Sequence, residues 1–493
     1  MNSILMVSNR LPVTVTRDED GVRIVPSSGG LVSALTSALN QVPFTWIGWP
    51  GADAAPEITD ALQRCSALPS CKLLPVDLGL EERNRFYRGF CNEILWPLFH
   101  DLQSRCNFDP SYWETYGSVN RRFADRVIEA AREHELIWVH DYHLLLLGSL
   151  LRNSGEIAGS VAYFHHIPFP PPDIFAKLPW RKEILESLLC FDLVGFQTRQ
   201  DLRNFISSAR RFLTDVHVRR VDSSTVVTSG PRTARLAVFP IGIDSYEFAA
   251  CAARSKTAHR AKEIRTEIGT EQICLGVDRL DYTKGIPERL RAFAALLSRC
   301  PDLRRQITLV QVVVPSRSEV PKYSELKLEV ERLVSKINGE FGVPGWVPIQ
   351  YMYRHLDRTE LIALYRSADI GLVTPLRDGM NLVAKEFCAA QTDDDAVLIL
   401  SEFAGAAEQL KRGALLVNPY DTYGVAAALH RAIHMPTQAR QRRMRALRQR
   451  IAESNVYTWF SDFIRAAGLE NSPEAPRPRS SEAQNQQHQQ IGV

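Results

Sequence analysis

Two cations in one short loop are the first chemically informative feature of this sequence. The segment 278–285, DRLDYTKG, follows an apolar run and places Arg279 and Lys284 just before a helical pattern. Two cations beside the free amides of a helix start can bind a diphosphate, because the charges and the helix dipole both favour an anion. The alternative is a surface loop in which Asp278 or Asp281 holds Arg279.

A second loop, 374–382, has the composition of a nucleotide site. It reads TPLRDGMNL and leads into a helical pattern that carries Lys385 and Glu386. Gly379 allows a tight turn, and Glu386, one turn into the helix, is placed to accept hydrogen bonds from two hydroxyls of a ribose. Arg317, which follows another apolar run, adds a cation on the same edge.

Histidines and an aspartate follow two apolar runs in the first half of the chain. Residues 140–143 read HDYH, and residues 165–170 read HHIPFP. We interpret His165 and His166, beside prolines that stiffen their loop, as a binding wall, and Asp141 as an acid placed at a strand-to-helix turn. Two alternatives stay open: Asp141 caps the helix that follows, and either histidine at 165 or 166 fills the core.

The first apolar run and the loop after it carry a further candidate anion site. Arg10 follows the run, and the paired Gly29 and Gly30 precede a helical pattern. Paired glycines let the backbone approach a ligand closely and direct free N–H groups at an anion. A plain loop is the alternative interpretation of this segment.

The elements that position these residues are predicted by the rhythm of the sequence. Short β-branched and apolar runs alternate with helical patterns of about ten residues or more, which predicts an α/β fold with parallel sheets. Ligands bind beyond the carboxyl ends of the strands in such sheets, and the residues above fall there. The predicted strands are 4–7, 44–47, 136–139, 160–164, 193–196, 273–277, 307–313, 370–373, 397–400 and 415–417.

The segment 218–237, rich in Ser, Thr and Arg, separates two sets of predicted strands. We interpret it as the boundary between two doubly wound domains of about equal size. We expect domains at 1–237 and 238–454 and a last helix at 455–470. The tail 471–493 is rich in Pro, Ser and Gln, so we expect it to be disordered.

Composition excludes several classes of protein. Lys and Arg number 59 against 56 Asp and Glu, and a net charge of +3 is too small for a general nucleic-acid binder. The longest apolar stretch, 136–151, is interrupted by polar residues and is too short to span a membrane. Nine scattered cysteines without a Cys-x-x-Cys pair favour reduced thiols over disulfides or zinc. The chain begins without a basic leader, so we expect a cytoplasmic protein.

Two charged runs are interpreted as structural. Asp393, Asp394 and Asp395 match the metal signature of some sugar-nucleotide enzymes, but they precede a predicted strand and so lie at the opposite edge of the sheet. Seven arginines within 431–450 predict a solvated helix face rather than an RNA contact. The sequence also lacks the glycine-rich phosphate loops of dehydrogenases and P-loop proteins.

Taken in chain order, a set of longer segments resembles the trehalose-6-phosphate synthases, a family of retaining glucosyltransferases. The segments are SNRLP, SSGGL, FYRGFCNEILWPLFH, WVHDYHLLL, HHIPFP, GFQT, FPIGID, VDRLDYTKGIPERL, ADIGLVTPLRDGMNLVAKEF and SEFAGAA. The resemblance implies a GT-B fold, in which two Rossmann-like domains face each other across a cleft and the last helix returns to the first domain. It implies transfer of glucose from UDP-glucose, or another nucleotide sugar, to glucose 6-phosphate, giving trehalose 6-phosphate in trehalose biosynthesis.

The resemblance also implies roles for individual residues. The implied acceptor contacts are Arg10, Tyr87, Trp96, Asp141, Ile167 and Arg317. The implied donor contacts are Gly29, Gly30, Arg279, Lys284, Leu356, Asp378, Leu382, Val383, Ala384, Lys385 and Glu386. The implied catalytic set is Asp141, His166, Arg279, Lys284 and Asp378. The family further implies no metal, no cofactor beyond the substrates, no nucleic-acid or membrane partner, and a homo-oligomer, either a dimer or a tetramer.

Two other functions stay open at this point. One is glucosylglycerol-phosphate synthase on the same scaffold, and the other is a non-catalytic sugar-phosphate sensor. Tyr87 and Trp96 favour a sugar phosphate as acceptor, and the intact motif residues weigh against a sensor. The sequence leaves the donor base open between uracil, guanine and adenine. The loop 13–26 is longer than in the shortest family members, which we expect to affect loop closure, and we expect no phosphatase domain after the last helix.

Overall fold

The chain forms two large sheets, each flanked by helices. The computed structural model describes residues 4–18, 21–26, 44–53, 55–65, 71–131, 136–222, 224–316 and 321–469. The predicted site residues Gly29, Gly30 and Arg317 and the predicted disordered tail lie outside the described residues.

The described strands are β1 (Ile4–Arg10), β2 (Val13–Asp18), β3 (Gly21–Pro26), β4 (Phe44–Trp49), β5 (Cys71–Pro75), β6 (Leu136–His140), β7 (Ser160–His165), β8 (Leu193–Phe196), β9 (Val216–Val221), β10 (Ser224–Ser229), β11 (Arg232–Val238), β12 (Gln272–Arg279), β13 (Ile307–Val314), β14 (Ile349–Tyr353), β15 (Ile370–Val373), β16 (Val397–Ser401) and β17 (Leu415–Val417). The described α-helices are Pro56–Gln63, Leu80–Glu82, Trp96–Phe99, Pro110–Ala131, Leu147–Ser154, Pro172–Phe175, Arg181–Leu188, Arg199–Phe212, Ser245–Ala253, Ser255–Ile268, Ile286–Arg299, Pro321–Phe341, Arg358–Ser367, Leu382–Ala390, Ala406–Leu410, Thr422–Ile433, Thr437–Glu453 and Val456–Ala466. A π-helical segment, Arg83–Leu95, joins two of them. Single 3₁₀ turns are Gln103–Arg105, Tyr142–Leu144, Tyr282–Lys284 and Pro301–Leu303.

Both sheets wind outward from a central strand. The first has the order β5-β4-β1-β6-β7-β8-β11-β10-β9, and the second has the order β14-β13-β12-β15-β16-β17. In the first sheet the chain adds β4 and β5 on one side of β1 and then crosses to β6 on the other. In the second it adds β13 and β14 beside β12 and then crosses to β15. Each crossing opens a crevice beyond the carboxyl ends of the two central strands.

The central strands are buried on both faces. In β1, Leu5 and Val7 pack into one apolar cluster, while Ile4 and Met6 pack into another. Helices therefore cover both sides of the parallel strands, which is why these strands read as continuous apolar runs. All ten predicted strands are present, several of them with one to three further residues.

The segment interpreted as a domain boundary contains three strands that belong to the first sheet. Residues 216–238 form β9, β10 and β11, which extend the first sheet through two antiparallel pairings and a parallel pairing of β11 with β8. One face of this ladder is open and carries Ser, Thr and Arg, which explains why these strands do not read as apolar runs in the sequence. The long loop 13–26 is likewise a hairpin, β2 paired with β3.

The last helix, Val456–Ala466, packs against the first sheet rather than the second. The Trp459 and Phe463 rings lie 5.3 and 4.3 Å from the Trp138 ring of β6. At the end of the helix, Ser160 Oγ donates to the Ala467 carbonyl at 3.0 Å. The chain therefore passes between the two sheets twice. The limits of the predicted domains stay predictions.

Two absences bear on the sequence interpretation. No helix in the described part of the chain is both long enough and apolar enough to cross a membrane. All nine cysteines are unpaired, but only Cys91, Cys274 and Cys388 are buried. The thiols are thus less buried than their small apolar character predicts.

Candidate active site

The predicted site residues gather at the two crevices. Arg10 ends β1, and Asp141 follows β6, its neighbour in the first sheet. Arg279 ends β12, and the loop with Asp378 follows the adjacent strand β15. The two crevices face each other, because a Cβ atom built on Gly379 would lie 2.2 Å from the His166 carbonyl oxygen and 3.0 Å from Ile167 Cα. Only glycine permits this approach between the two domains.

A tryptophan links the two sides of the cleft. Trp96, which follows the π-helical segment of the first domain, donates from Nε1 to Asp281 Oδ1 in the second domain at 3.4 Å. The Arg279 guanidinium carbon lies 5.8 Å from the centre of the Trp96 ring. A predicted acceptor contact and a predicted diphosphate contact are therefore neighbours.

Lys284 is held by the next loop of the second domain. Its Nζ lies 2.5 Å from Asp378 Oδ2, and the two side chains are only 12% and 14% exposed. Asn381 Nδ2 donates to the same oxygen at 3.1 Å. Burial alone raises the pKa of Asp378, but Lys284 and the hydrogen bonds outweigh it and hold this pKa below the usual value. Asp378 is thus ionised at neutral pH, and its carboxylate directs the Lys284 side chain.

Arg279 is less constrained. Its side chain is 47% exposed, and its Nη2 lies 3.9 Å from Asp281 Oδ2. Asp278, the other partner considered from the sequence, pairs instead with Arg289. The alternative, a surface loop in which an aspartate holds Arg279, therefore rests on one long contact with Asp281. Much of the Arg279 side chain stays accessible to a ligand.

Arg289 is a buried residue of the site that the sequence interpretation missed. It pairs with Asp278, and it donates to Thr374 Oγ1 at 3.0 Å, to Gln311 Oε1 at 3.1 Å and to the Lys284 carbonyl at 3.3 Å. These partners lie on β12, on β13, after β15 and in the cation loop. Arg289 therefore fixes the loop with Lys284 to three strand ends.

The sequence contains a pattern from which Arg289 could have been predicted as a buried, paired residue. Arg289 occupies a position on the helix Ile286–Arg299 whose neighbours at helical spacing are the buried Ile286, Ala292 and Phe293. A charged residue on an apolar helix face is fully buried only when it is paired.

The first-domain crevice is lined with aromatic rings. The Arg10 guanidinium carbon lies 4.6 Å from the centre of the Trp49 ring, and the Tyr87 ring lies 6.5 Å from Trp49. Arg10 also presses against Gly51, where a Cβ atom would lie 2.0 Å from its Nη2. The structure thus brings Arg10 and Tyr87 together around Trp49. Trp49 was not predicted, because as part of a buried strand it reads as core.

Asp141 does not act as a helix cap through its side chain. Its φ is 72°, and the 3₁₀ turn that follows has no side-chain cap. The Asp141 carboxylate instead accepts a hydrogen bond from the His166 backbone N–H at 3.3 Å. Asp141 therefore connects the loop 140–143 to the loop 165–170.

The three histidines near the cleft are neutral and have different surroundings. His165 is a core residue, with Nδ1 3.0 Å from the Tyr163 hydroxyl and Nε2 3.3 Å from the Pro168 carbonyl. His166 Nε2 lies 3.0 Å from Nδ1 of the buried His140. Burial lowers the pKa of His140 and of His165 to about 3, and it holds the pKa of His166 well below its usual value.

His100 is a further site residue that the sequence interpretation did not single out. Its ring lies 4.2 Å from the Trp96 ring, and its Nδ1 lies 2.7 Å from the Trp96 carbonyl. Burial lowers the pKa of His100 to about 4, although Asp281 and Asp378 oppose the shift. The neutral ring therefore donates from Nδ1 and presents Nε2 as an acceptor.

The predicted nucleotide helix, Leu382–Ala390, begins at Asn381. Asn381 has a φ of 77°, and its Oδ1 accepts from the Ala384 N–H at 3.1 Å. Glu386 is half-buried, and its Oε2 accepts from the Tyr365 hydroxyl at 2.9 Å. Leu382 and Val383 are partly exposed at the start of this helix, and Leu356 is partly exposed in the loop after β14.

Two predicted donor contacts do not reach the surface of the cleft. Ala384 and Lys385 have no exposed surface. Lys385 Nζ instead donates to the Ile241 carbonyl at 2.6 Å, and burial lowers its pKa to about 7. The sequence interpretation missed this because the helical spacing that places Glu386 on one face places Lys385 on the inner face.

The two charged runs that were set aside neutralise each other. Arg440 pairs with Asp395 at 2.7 Å, and Arg445 and Arg448 pair with Asp394 at 3.0 and 2.6 Å. Across the described residues, no group of three or more His, Cys, Asp or Glu side chains could hold a metal ion. These ion pairs give both runs a structural role, and the expectation that neither run binds a metal or RNA stays a prediction.

Comparison with known proteins agrees with this geometry. The model of glycosyltransferase family 20 matches residues 2–468. The bifunctional trehalose-6-phosphate synthase/phosphatase of Thermoproteus tenax is 42% identical over 472 residues, which are 94% of this chain and 63% of that protein. This chain thus spans less than two thirds of the length of that relative.

Two solved structures share the fold. The alpha,alpha-trehalose-phosphate synthase (UDP-forming) of Burkholderia xenovorans in complex with glucose-6-phosphate has a TM-score of 0.84 at 34% identity, over 95% of this chain and 100% of that one. The E. coli structure bound with UDP-2-fluoro glucose has a TM-score of 0.84 at 35% identity, over 94% of this chain and 99% of that one. The predicted GT-B arrangement and the predicted likeness to trehalose-6-phosphate synthases are confirmed. The chain belongs to glycosyltransferase family 20.

Proposed function

We propose that this protein is an alpha,alpha-trehalose-phosphate synthase. It transfers glucose from UDP-glucose to glucose 6-phosphate with retention of configuration and releases trehalose 6-phosphate and UDP. The observation that carries the proposal is the meeting of Trp96 with Arg279 and Asp281 across the cleft, which puts an acceptor pocket beside a cationic donor site. The relatives that hold glucose-6-phosphate and a UDP-sugar support the same two substrates.

The charges of the cleft suit the leaving group. Breaking the bond between the anomeric carbon and the diphosphate builds positive charge on the sugar and negative charge on the diphosphate. Arg279, Lys284 and the start of the helix Leu382–Ala390 neutralise the negative charge without a metal ion. Lys284 exchanges its contact with Asp378 for a phosphate oxygen, which leaves Asp378 beside the transferred glucose.

Retention follows from attack on the same face that the leaving group departs from. The acceptor hydroxyl forms the new bond to the anomeric carbon while the bond to the diphosphate oxygen breaks. The acceptor proton passes to that departing oxygen, so no protein nucleophile is needed. Asp141 holds hydroxyls of the acceptor sugar, and His166 contacts the transferred glucose.

The acceptor phosphate binds at the Arg10 crevice. Arg10 lies over Trp49 and near Tyr87, and Arg317 supplies the second cation. Trp96 and Ile167 line the sugar pocket. On the donor side, Leu356, Leu382, Val383 and Glu386 contact the base and ribose, while Gly29 and Gly30 close over the donor.

The test is a reconstitution without metal. Purified protein is treated with EDTA and incubated with glucose 6-phosphate and UDP-, GDP- or ADP-glucose, and the product is identified by NMR. We expect an α,α-1,1-linked disaccharide phosphate, with UDP-glucose the best donor. Turnover that occurs only when glycerol 3-phosphate replaces glucose 6-phosphate would contradict the proposal, and so would glucose 6-phosphate binding without turnover.

Two further properties stay predictions. We propose a homo-oligomer, a dimer or a tetramer, which light scattering of the purified protein checks. We also keep the prediction of a cytoplasmic protein, which fractionation of cells that express the full chain checks.

A further inference from the structure

A pair of histidines at the first-domain crevice shares a single hydrogen. His140 Nδ1 and His166 Nε2 lie 3.0 Å apart, and the ring planes are inclined by 28° with centroids 5.3 Å apart. His140 is fully buried, whereas His166 is half-buried and faces the cleft with its backbone carbonyl against Gly379. Because both rings are neutral, one of the two facing nitrogens carries a hydrogen and the other accepts it.

Two arrangements satisfy this contact. In the first, His140 donates from Nδ1, so His166 accepts at Nε2 and carries its own hydrogen on Nδ1. In the second, His166 donates from Nε2, so His140 carries its hydrogen on Nε2 and His166 Nδ1 is an acceptor. The arrangement decides whether the cleft side of His166 donates or accepts a hydrogen bond.

The surroundings of His140 Nε2, on the side of the ring away from His166, decide between the two arrangements. The Trp138 ring lies 4.7 Å from the His140 ring, and the Trp459 ring lies 5.3 Å from Trp138 and 6.5 Å from His166. His140 Nε2, Trp138 Nε1 and Trp459 Nε1 are all buried and have no hydrogen-bond partner among the described residues. An indole N–H can only donate.

A hydrogen on His140 Nε2 would add a third donor to this group, and the described residues offer no acceptor for it. A lone pair on Nε2 instead lets one water accept from the two indole N–H groups and donate to His140, which satisfies all three nitrogens. Since a buried donor without an acceptor is costly, the first arrangement is favoured.

We propose that His140, which packs against Trp138 and through it on Trp459, is a positioning residue that fixes His166 with its hydrogen on Nδ1, so that His166 donates a hydrogen bond to an oxygen of the transferred sugar. The contact with the sugar rests on the proposed function, whereas the position of the hydrogen does not. Trp459 belongs to the last helix, so this helix sets the chemistry of a cleft residue as well as the packing of the first sheet.

The position of the hydrogens is measured on the free full-length protein. Nitrogen-15 spectra of protein labelled in its imidazoles distinguish the two neutral tautomers, and His140→Asn and His166→Asn variants assign the two signals by their loss. We expect both rings in the Nδ1–H form. A hydrogen on Nε2 of either ring overturns the proposal, whether or not the protein turns over any substrate.

Kinetics separate positioning from folding. An Asn at position 140 can still donate from its amide near the place of Nδ1, whereas a Leu cannot. We expect His140→Leu to lower kcat by about 10- to 100-fold with the KM for glucose 6-phosphate nearly unchanged, and His140→Asn to restore most of the loss. Equal losses in both variants, or a loss confined to KM, contradict the role.

Trp459→Phe is the second, independent variant. It keeps a ring on Trp138 but removes one indole N–H. We expect a partial shift of the His140 signal toward the Nε2–H form and a smaller loss of kcat than in His140→Leu. Unchanged nitrogen-15 signals in this variant would show that Trp459 does not set the tautomer.

Discussion

Lys284 and Arg279 differ in how firmly the protein holds them. Lys284 Nζ lies 2.5 Å from a carboxylate oxygen with little of either side chain exposed, whereas Arg279 is half exposed with a carboxylate at 3.9 Å. Arg279 can therefore meet a diphosphate without breaking a strong contact. Lys284 has to exchange Asp378 for the phosphate, so its role is coupled to that carboxylate.

Removing either cation should slow the reaction. We expect Arg279→Ala and Lys284→Ala each to lower kcat by about 10² to 10³, because each removes a charge that stabilises the leaving diphosphate. The measurement is steady-state turnover with UDP-glucose and glucose 6-phosphate. Arg445→Ala is the matched control, since Arg445 is exposed and pairs with Asp394 far from the cleft. Wild-type turnover in both cleft variants would contradict the assignment of Arg279 and Lys284 to the leaving diphosphate.

The hydroxyl of Tyr365 should set the pH range of donor binding. Burial raises the pKa of Glu386, and the hydrogen bond from Tyr365 opposes that rise. The ionised carboxylate is the form that accepts from both ribose hydroxyls, so donor binding weakens as the pH falls through this pKa. We expect Tyr365→Phe to raise the pKa further, and the KM for UDP-glucose to climb at a higher pH than in the wild type.

Tyr351→Phe is the control for that experiment. The Tyr351 hydroxyl is buried without a hydrogen-bond partner among the described residues. Tyr351→Phe therefore removes a tyrosine hydroxyl, as Tyr365→Phe does, but breaks no hydrogen bond. An identical acid limb of the KM profile in Tyr365→Phe and Tyr351→Phe would show that Glu386 does not hold the ribose.

Among the elements, the helix Ile286–Arg299 connects folding to the site. It buries Arg289 under the carboxyl ends of β12, β13 and β15, where the guanidinium holds Asp278, Gln311 and Thr374. A buried charge that loses its partner is costly, because neither water nor another side chain compensates it. This helix therefore stabilises the sheet and positions the cation loop through one side chain.

Loss of Arg289 should be one of the most destabilising single changes at the sheet edge. We expect Arg289→Met to lower the free energy of unfolding by about 3 to 5 kcal/mol, measured by denaturant unfolding. Arg291→Met, on the same helix but exposed and paired with Glu329, should cost no more than about 1 kcal/mol. Adding Asp278→Asn to Arg289→Met should cost less than the sum of the single changes, and strict additivity would contradict the buried pair.

The elements also explain what the sequence could and could not predict. The central strands were predicted because burial on both faces makes them apolar throughout. β9 to β11, which lie in the segment interpreted as a domain boundary, were not predicted as strands because they are half exposed, and β5 and β14 were missed because their exposure is mixed. Arg10, Asp141 and Lys284 were predicted from their place after strands, whereas the role of Asp378 was implied by the family resemblance. Tyr365 lies 21 residues from Glu386, and only the tertiary packing reveals such a partner.

In the whole molecule, the two domains touch directly at the cleft. Gly379 lies against the His166 carbonyl, Arg377 Nε lies 3.6 Å from Asp101, and the Arg105 guanidinium lies 4.8 Å from the Tyr282 ring. The structure is therefore that of a closed cleft. A substrate as large as a nucleotide sugar requires the domains to separate and close again during each turnover.

A side chain at Gly379 should prevent that closure. We expect Gly379→Ala to lower kcat by at least about 10-fold while the melting temperature changes little, because its Cβ meets backbone atoms of the other domain rather than of its own fold. Small-angle scattering with both substrates should show a larger radius of gyration than in the wild type. Gly339→Ala is the control, since nothing lies within 4 Å of its Cβ position.

The chain passes between the two domains twice, and we infer that the two connecting segments together form the hinge. The two passages lie side by side, because Val456 N–H donates to the Ile243 carbonyl at 3.1 Å and Tyr457 donates to Asp244 at 2.6 Å. One connection would leave the domains free to twist as well as to bend. We expect two connections that touch to restrict twisting more than bending, so that the domains rotate mainly about one axis. Each closure therefore returns the cations of one domain to the same point above the acceptor pocket of the other.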